Sequence, residues 1–260
     1  MGVTEYLNDI VSIAEEYFIQ APLIVGGIAR DYAMGLSPIK TDDVDLTTNT
    51  ADSLRLGVLV ADKYNVSFNI FEDGHIIVNF DNFNIDFSSN FISEDVVKFL
   101  NKKNTTIDKT DYEVYSRDFT INTLHQDIRT KEIIDPTGSG LDDLSSGLIK
   151  TPVPASISIA DDPRRAFRAI YFAAKYDFEI DKEIIAYISN NHEIFSDGRV
   201  KDRFISMKIN SSISASPDKT IKYLKEMNLL SRVPLTGFFK DYMIKNKMVI
   251  EYLDNEKRNR

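Results

Sequence analysis

One change of periodicity divides this chain. Up to Pro136 many apolar residues come in short runs broken by Asp, Asn and Gly; beyond it they recur at helical spacing. Leu7, Ile10, Val11, Ala14, Tyr17 and Phe18 predict an opening helix within 4–19. Pro22-Leu23-Ile24-Val25 is an apolar run stopped by Gly26-Gly27, which reads as a buried strand, with a short helix from Ile28 to Met34 ended by Gly35. Val44 to Thr48 reads as a strand and Asp52 to Tyr64 as a helix. Val66–Phe71, His75–Phe80 and Phe83–Ser88 read as three short strands, with turns at Glu72-Asp73-Gly74 and Asp81-Asn82. Polar residues 101–111 are expected to form a loop. Helices are expected near 141–147, 161–176, 181–190, 200–213, 217–228 and 239–253. Strands first and helices afterwards predict an α/β head with a mixed sheet, 1–137, followed by an all-α region, 138–260.

Composition narrows the chemistry. Of 260 residues, 43% are apolar, enough to build a core and too many for a wholly disordered chain. With no cysteine, disulfides, cysteine nucleophiles and Cys-ligated zinc are excluded, and a reducing cytoplasm is the expected setting. His75, His125 and His192 are too far apart in sequence for a zinc motif. No apolar run reaches the roughly 18 residues of a membrane span. The N-terminus lacks the basic-then-apolar order of a signal peptide, so neither a membrane nor a leader is expected. The net charge is −9, yet residues 199–260 hold 14 Lys/Arg against 7 Asp/Glu. A basic end on an acidic chain suggests a polyanion-binding surface there, though a lysine-rich helical exterior has the same composition.

The chemistry concentrates at Asp43-Val44-Asp45. On a strand, residues i and i+2 share a face, so both carboxylates would stand side by side. Like charges so placed call for a cation, and Mg²⁺ is satisfied by one or two carboxylates plus phosphate oxygens. A polar edge strand can show the same three residues. Upstream, two glycines between a strand and a helix let backbone approach a phosphate closely, and Arg30 can fork onto one. Asp86, between Ile85 and Phe87, is expected on the face away from the core, where a third carboxylate could complete a metal site or take a proton.

The ordered motifs GGIARDYAMG, TDDVDLTTN, SRDFTINTL, IIDPTGSGLDDLSSGLIKTP and DDPRRAFRAIYFAAKYDFEID resemble those of class II CCA-adding enzymes and bacterial poly(A) polymerases, over about residues 22–210. These belong to the polymerase-β nucleotidyltransferase superfamily. The resemblance implies that Gly26, Gly27 and Arg30 hold a triphosphate, that Asp43 and Asp45 bind metal, and that Asp86 is a strand carboxylate of the catalytic set. It implies that Arg117, Asp118 and Asn122 contact nucleotide phosphate and ribose. It assigns reading of the incoming base to Asp161, Asp162 and Arg165, and a further nucleotide contact to Arg168. The chemistry of that element suits its role: Asp162 offers acceptors and Arg165 donors. Three apart on one helix they would share a face and match adenine or cytosine, and loss of Arg165 would relax base choice.

The sequence departs from the family pattern in four places. Asp161 is one methylene shorter than the usual Glu, Arg164 replaces an apolar residue, and Tyr171 stands where many members have arginine. The later motif appears as Gly198-Arg199-Val200-Lys201-Asp202-Arg203, without its two glutamates. The helical body is expected to be shortened. The expected function is template-independent addition of nucleotides, CCA above all, to a tRNA 3′ end from CTP and ATP with two Mg²⁺. The alternatives are a poly(A) polymerase, a partial CC- or A-adding enzyme, or an inactive RNA- or nucleotide-binding homologue. Lys201, Arg203, Lys208, Lys222, Lys225, Lys245 and Lys247 are the candidate RNA contacts; no obligate protein partner is expected.

Overall fold

The acid–apolar alternation of Asp43–Thr47 buries Val44 and Leu46 and leaves Asp43 and Asp45 on the opposite face, and the first domain is organised around that strand. The computed structural model describes residues 2–36, 43–48, 52–72, 74–87, 92–103, 109–195 and 197–258. Thr41, Asp42, Asp73, Ser88 and residues 104–108 of the motifs and loop discussed above lie outside the described residues. Two compact units divide the chain, Met1–Asp142 and Asp143–Arg260.

The first unit runs α1 (Val3–Glu16), β1 (Leu23–Val25), α2 (Gly27–Ala33), β2 (Asp43–Thr47), α3 (Asp52–Tyr64), β3 (Ser67–Ile70), β4 (Ile76–Asn79), β5 (Asn84–Phe87), α4 (Glu94–Lys102), α5 (Lys109–Ser116), β6 (His125–Asp127) and β7 (Ile133–Ile134). Its seven strands form one mixed sheet in the order β3-β4-β5-β2-β1-β6-β7, in which β2 and β5 are parallel and every other pair is antiparallel. The strand β4 turns into β5 through Asp81-Asn82, closed by a bond from Phe80 N–H to the Phe83 carbonyl. One sheet face packs Val44, Leu46, Ile76, Val78, Ile85 and Phe87 against Leu7, Ile10, Val11 and Ala14 of α1 and Leu56 and Val60 of α3. Gly57 allows that contact: a Cβ there would meet Ile76 Cγ2 at 2.4 Å.

Helix α6 (Gly140–Ser145) spans the boundary of the units. The second unit comprises β8 (Leu148–Ile149), α7 (Ala155–Asp161), α8 (Arg164–Tyr176), β9 (Glu179–Ile180), α9 (Lys182–Asn190), α10 (Asp202–Ala215), α11 (Pro217–Glu226), α12 (Gly237–Lys245) and α13 (Val249–Arg258). It is helical as expected, with one short parallel pair, β8–β9, added.

Three expectations are corrected. The helix expected over 161–176 begins only at Arg164. Pro163 has no N–H to give and disfavours helical backbone before it, so Asp162 is extended at φ −132°, ψ 93°. The helix expected over 239–253 breaks between Lys245 and Val249, where Lys247 is left-handed (φ 56°) and Met248 N–H closes on the Met243 carbonyl. The polar stretch 101–111 is helical at both described ends, in α4 and α5. Ser93 caps α4 by accepting the Val96 N–H.

Candidate active site

Parallel pairing of β2 with β5 sets Asp45 opposite Asp86 and Asp43 opposite Asn84. The three carboxylates share the sheet face away from the core, because both strands alternate acid or amide with buried aliphatic or aromatic residues. Asn84 donates to Asp43 Oδ1 at 3.1 Å. Asp45 is held above the usual carboxylate range, first by burial, with Arg117 opposing and Asp43 adding to the rise.

Gly26 stands next to them at φ 70°, ψ −131°, backbone open to glycine and strained for other residues. A Cβ on it would lie 3.2 Å from Asp45 Oδ2 and 3.7 Å from Arg117 Nη1, so the glycine leaves room into which an acid and a base both reach. Arg117 Nη2 donates to Glu113 Oε1 at 2.9 Å, whereas its Nε is buried with no hydrogen-bond partner among the described residues. Thr47, third on the β2 face after Asp43 and Asp45, donates to Glu113 Oε2 at 3.1 Å. Burial raises the Glu113 carboxyl, and Arg117 and Thr47 oppose the rise. Glu113 and Thr47 were not among the residues expected from sequence; Glu113 had one local sign, its place four residues before Arg117 on helical backbone.

His125 is buried on β6 and held down at about 4, by burial first and by Arg117 second. The unfolded chain takes up this proton near pH 6.5 and the folded chain only near 4. Stability is therefore expected to fall as pH drops through that window, by about 3 kcal/mol at most. Urea midpoints at pH 7 and 4.5 test this, and His125→Gln should remove most of the difference. A difference unchanged by that substitution would assign it to other groups.

Arg30, expected on a phosphate, is buried. Its Nη1 donates to Asn122 Oδ1 at 2.6 Å, and its Nε and Nη2 to Asp31 at 2.9 and 2.6 Å. Asn122 in turn donates to Asp118 Oδ1 at 2.9 Å. Arg30, Asn122 and Asp118 thus tie α2 to the Thr120–Asn122 turn, and Arg30 supports the glycine pair instead of presenting a fork to solvent. Gly27 is helical, and a Cβ there would meet Arg30 Nη2 at an ordinary 3.5 Å.

The base-reading element lies in the second unit. Asp162 and Arg165 do not share a helical face, because Asp162 precedes α8. Asp162 instead receives Arg164: backbone N–H to Oδ1 at 3.0 Å, Nε to Oδ1 at 2.8 Å and Nη2 to Oδ2 at 3.0 Å. Arg165 is buried and donates to Ser158 Oγ at 2.6 Å. Arg165→Ala is therefore expected to lower stability by about 1–3 kcal/mol, the cost of stranding a buried polar partner. It should depress use of all four nucleotides alike, replacing the base-selective loss expected from sequence. Thermal melts with single-nucleotide assays decide between them. Arg168 lies over the Phe172 ring at 5.5 Å. Arg199 finds an acid despite the missing glutamates: its Nε donates to Asp197 at 2.6 Å, and its Nη1 reaches the Ala160 carbonyl at 2.7 Å, just before Asp161.

Of the basic residues, Lys201, Arg203, Lys225, Lys245 and Lys247 are exposed. Lys222 is exposed and ion-paired to Glu179 at 2.9 Å, and Lys208 lies 4.8 Å from the Tyr171 ring centroid. Among the described residues no helix is long and apolar enough to cross a membrane.

The chemistry of the donors suits a hard dication: Asp43, Asp45 and Asp86 offer carboxylate oxygens on one face, and the Asp43 charge adds to the rise of the Asp45 carboxyl. Among the described residues no three His, Cys, Asp or Glu side chains are grouped to hold a metal ion by themselves, so an ion on this face would need phosphate oxygens and water to complete its shell.

Residues 23–150 match the family model described as Poly A polymerase head domain. The tRNA nucleotidyltransferase cca1 of Schizosaccharomyces pombe is 37% identical over 123 residues, 47% of this chain and 23% of that protein. The Multifunctional CCA protein of Neisseria gonorrhoeae is 30% identical over 215 residues, 80% of this chain and 48% of that protein. A solved CCA-adding enzyme of Thermotoga maritima complexed with tRNA shares the fold at a TM-score of 0.68 and 20% identity, over 87% of this chain and 51% of that one. The chain spans less than half the length of these two curated relatives. The head-domain match and the curated relatives agree that residues 23–150 belong to the class II CCA-adding enzyme and poly(A) polymerase family, and the solved structure shares the fold.

Proposed function

We propose that this chain is a template-independent nucleotidyltransferase that adds C and A residues to an RNA 3′ end, tRNA above all, from CTP and ATP. The observation that carries the reading is the carboxylate face of β2 and β5 set against Gly26 and Arg117. Asp43 and Asp45 would hold Mg²⁺, which supplies charge neutralisation for the triphosphate and the departing pyrophosphate and lowers the pKa of the attacking hydroxyl. Asp86, opposite Asp45, is the base we assign to the 3′-hydroxyl proton. The Gly26 backbone admits a phosphate where a side chain would block it, and Arg117 Nη1, which reaches the space beside Gly26, is the donor we assign to a phosphate oxygen. The first unit acts as the nucleotidyltransferase head and the second as neck and RNA-binding body. Solved CCA-adding enzymes of the same fold are complexed with ATP, with CTP and with tRNA, which supports the substrate classes. A cytoplasmic setting agrees with the absence of cysteine; one relative is named as mitochondrial.

Purified protein with Mg²⁺, each labelled NTP in turn, and tRNA ending at the discriminator base, after C or after CC tests the reading. Ordered C, C, A addition is expected. A second reading rests on Asp162 being engaged by Arg164 while Arg165 is buried: with its reading pair altered, the enzyme would add a single kind of base. Incorporation of A alone at every end would support a poly(A) or A-adding enzyme, and no incorporation under any condition would support a binding protein.

The basic residues of 199–260 are proposed to hold the RNA backbone. Neutralised phosphates release counterions, so RNA affinity should fall roughly tenfold or more between 50 and 200 mM salt. Reversing Lys201, Arg203, Lys245 and Lys247 together should flatten that slope and leave NTP affinity unchanged. Filter binding at three salt concentrations reads both, and an unaltered slope would place RNA on another surface.

A further inference from the structure

Arg117 presents a difficulty for any cation at Asp43 and Asp45. A guanidinium beside a partly buried carboxylate ordinarily closes into a forked pair with it, which would fill the carboxylate and repel a dication. Here Arg117 reaches the space beside Gly26 that Asp45 also reaches, yet its hydrogen-bonded acid is Glu113, at 2.9 Å, and it acts on Asp45 only through space. Glu113 is itself fixed. It is buried, one oxygen takes Arg117 Nη2, and the other takes the Thr47 hydroxyl at 3.1 Å. Thr47 projects from the same face of β2 as the two aspartates, so the strand that would present the ligands also anchors the acid that restrains the arginine.

We propose that Glu113 is a positioning residue that holds Arg117 off the Asp45 carboxylate and so keeps that carboxylate available to a divalent cation. The proposal rests on the reading of Asp43 and Asp45 as cation ligands. Geometry and charge act together. The Glu113–Thr47 anchor fixes where the guanidinium ends, and the Glu113 charge cancels that of Arg117, leaving the aspartate face net negative. Without that charge, Arg117 is free to turn onto Asp45 and adds an uncompensated positive charge next to the ligands.

The test measures Mn²⁺ affinity of the full chain by the electron paramagnetic resonance signal of free Mn²⁺, with no nucleotide or RNA present. Asp45→Asn should weaken binding, which tests the ligand reading itself. Glu113→Gln, equal in size and still able to bond Thr47, should weaken it roughly tenfold, the scale of one charge-assisted contact. Thr47→Val should weaken it in the same direction by about threefold, and carries the test if Glu113→Gln does not fold. In an Arg117→Ala background, Glu113→Gln should no longer weaken Mn²⁺ binding, because there is no guanidinium left to restrain. A merely structural Glu113 would weaken binding in both backgrounds, and that result overturns the proposal. Wild-type binding lost in Asp45→Asn but held within twofold by folded Glu113→Gln removes the role of Glu113 alone. Binding indifferent to Asp45→Asn removes the ligand reading and this proposal with it.

Discussion

Asp45→Asn should lose nucleotide transfer by a factor on the order of a thousand or more while melting no lower than the parent. The first half follows from losing a charge that anchors cation-borne stabilisation of the transition state, which is worth several kcal/mol. The second follows from the environment of the side chain. Asp45 is held above its ordinary pKa chiefly by burial, with Asp43 adding to the effect. A carboxyl raised in the fold ionises more easily in the unfolded chain, so its charge opposes folding once pH exceeds both values. Asparagine keeps the shape and removes that charge. Asp43, exposed and bonded to Asn84, should show the same catalytic loss on substitution with a smaller change in melting. Single-turnover assays with calorimetry on the same preparations measure both quantities. Near-normal transfer by Asp45→Asn would remove the carboxylate face from the chemistry.

Gly26→Ala and Gly27→Ala should separate widely although the residues adjoin. At Gly26 the backbone is left-handed and a methyl would sit 3.2 Å from Asp45 Oδ2, so alanine is expected to cost about 1–3 kcal/mol in strain and to displace the carboxylate. Nucleotide affinity and transfer should both collapse. At Gly27 the backbone is helical, the added methyl finds ordinary contact, and alanine is the better helix former by about 1 kcal/mol. That variant should be as stable as the parent or more so. Denaturant titration with nucleotide binding compares them, and equal losses at both positions would mean that the turn itself, not the space beside Asp45, is what Gly26 serves.

The carboxylate face was legible in the sequence because a strand has a period of two and the neighbours of Asp43, Asp45 and Asp86 are apolar. The Gly26 turn was legible because two glycines interrupt an otherwise clear strand-to-helix transition. The base-reading element was misread for a local reason. Residues 161–176 have helical spacing throughout, and only the backbone restriction imposed by Pro163 takes Asp162 out of register with Arg165 and gives it to Arg164. Arg30 was read as a phosphate fork because one of its two acceptors, Asn122, lies 92 residues away, while the other, Asp31, is its immediate neighbour. The Glu113–Thr47 contact was hidden for the same kind of reason: the two residues are 66 positions apart and meet only after the sheet has formed. The strands β6 and β7 are too short, at three and two residues, to leave a periodic trace.

The parallel pairing of β2 with β5 also sets when the carboxylate face is assembled during folding. Hairpins such as β3–β4 and β4–β5 close short loops early, whereas β2 can meet β5 only after a helix and a hairpin between them have been laid down. That late closure is the step that brings Asp45 and Asp86 together, two acids converging in the middle of the sheet. Two carboxylates brought together work against the closing step itself, so Asp45→Asn or Asp86→Asn, followed by stopped-flow refolding, is expected to fold faster than the parent.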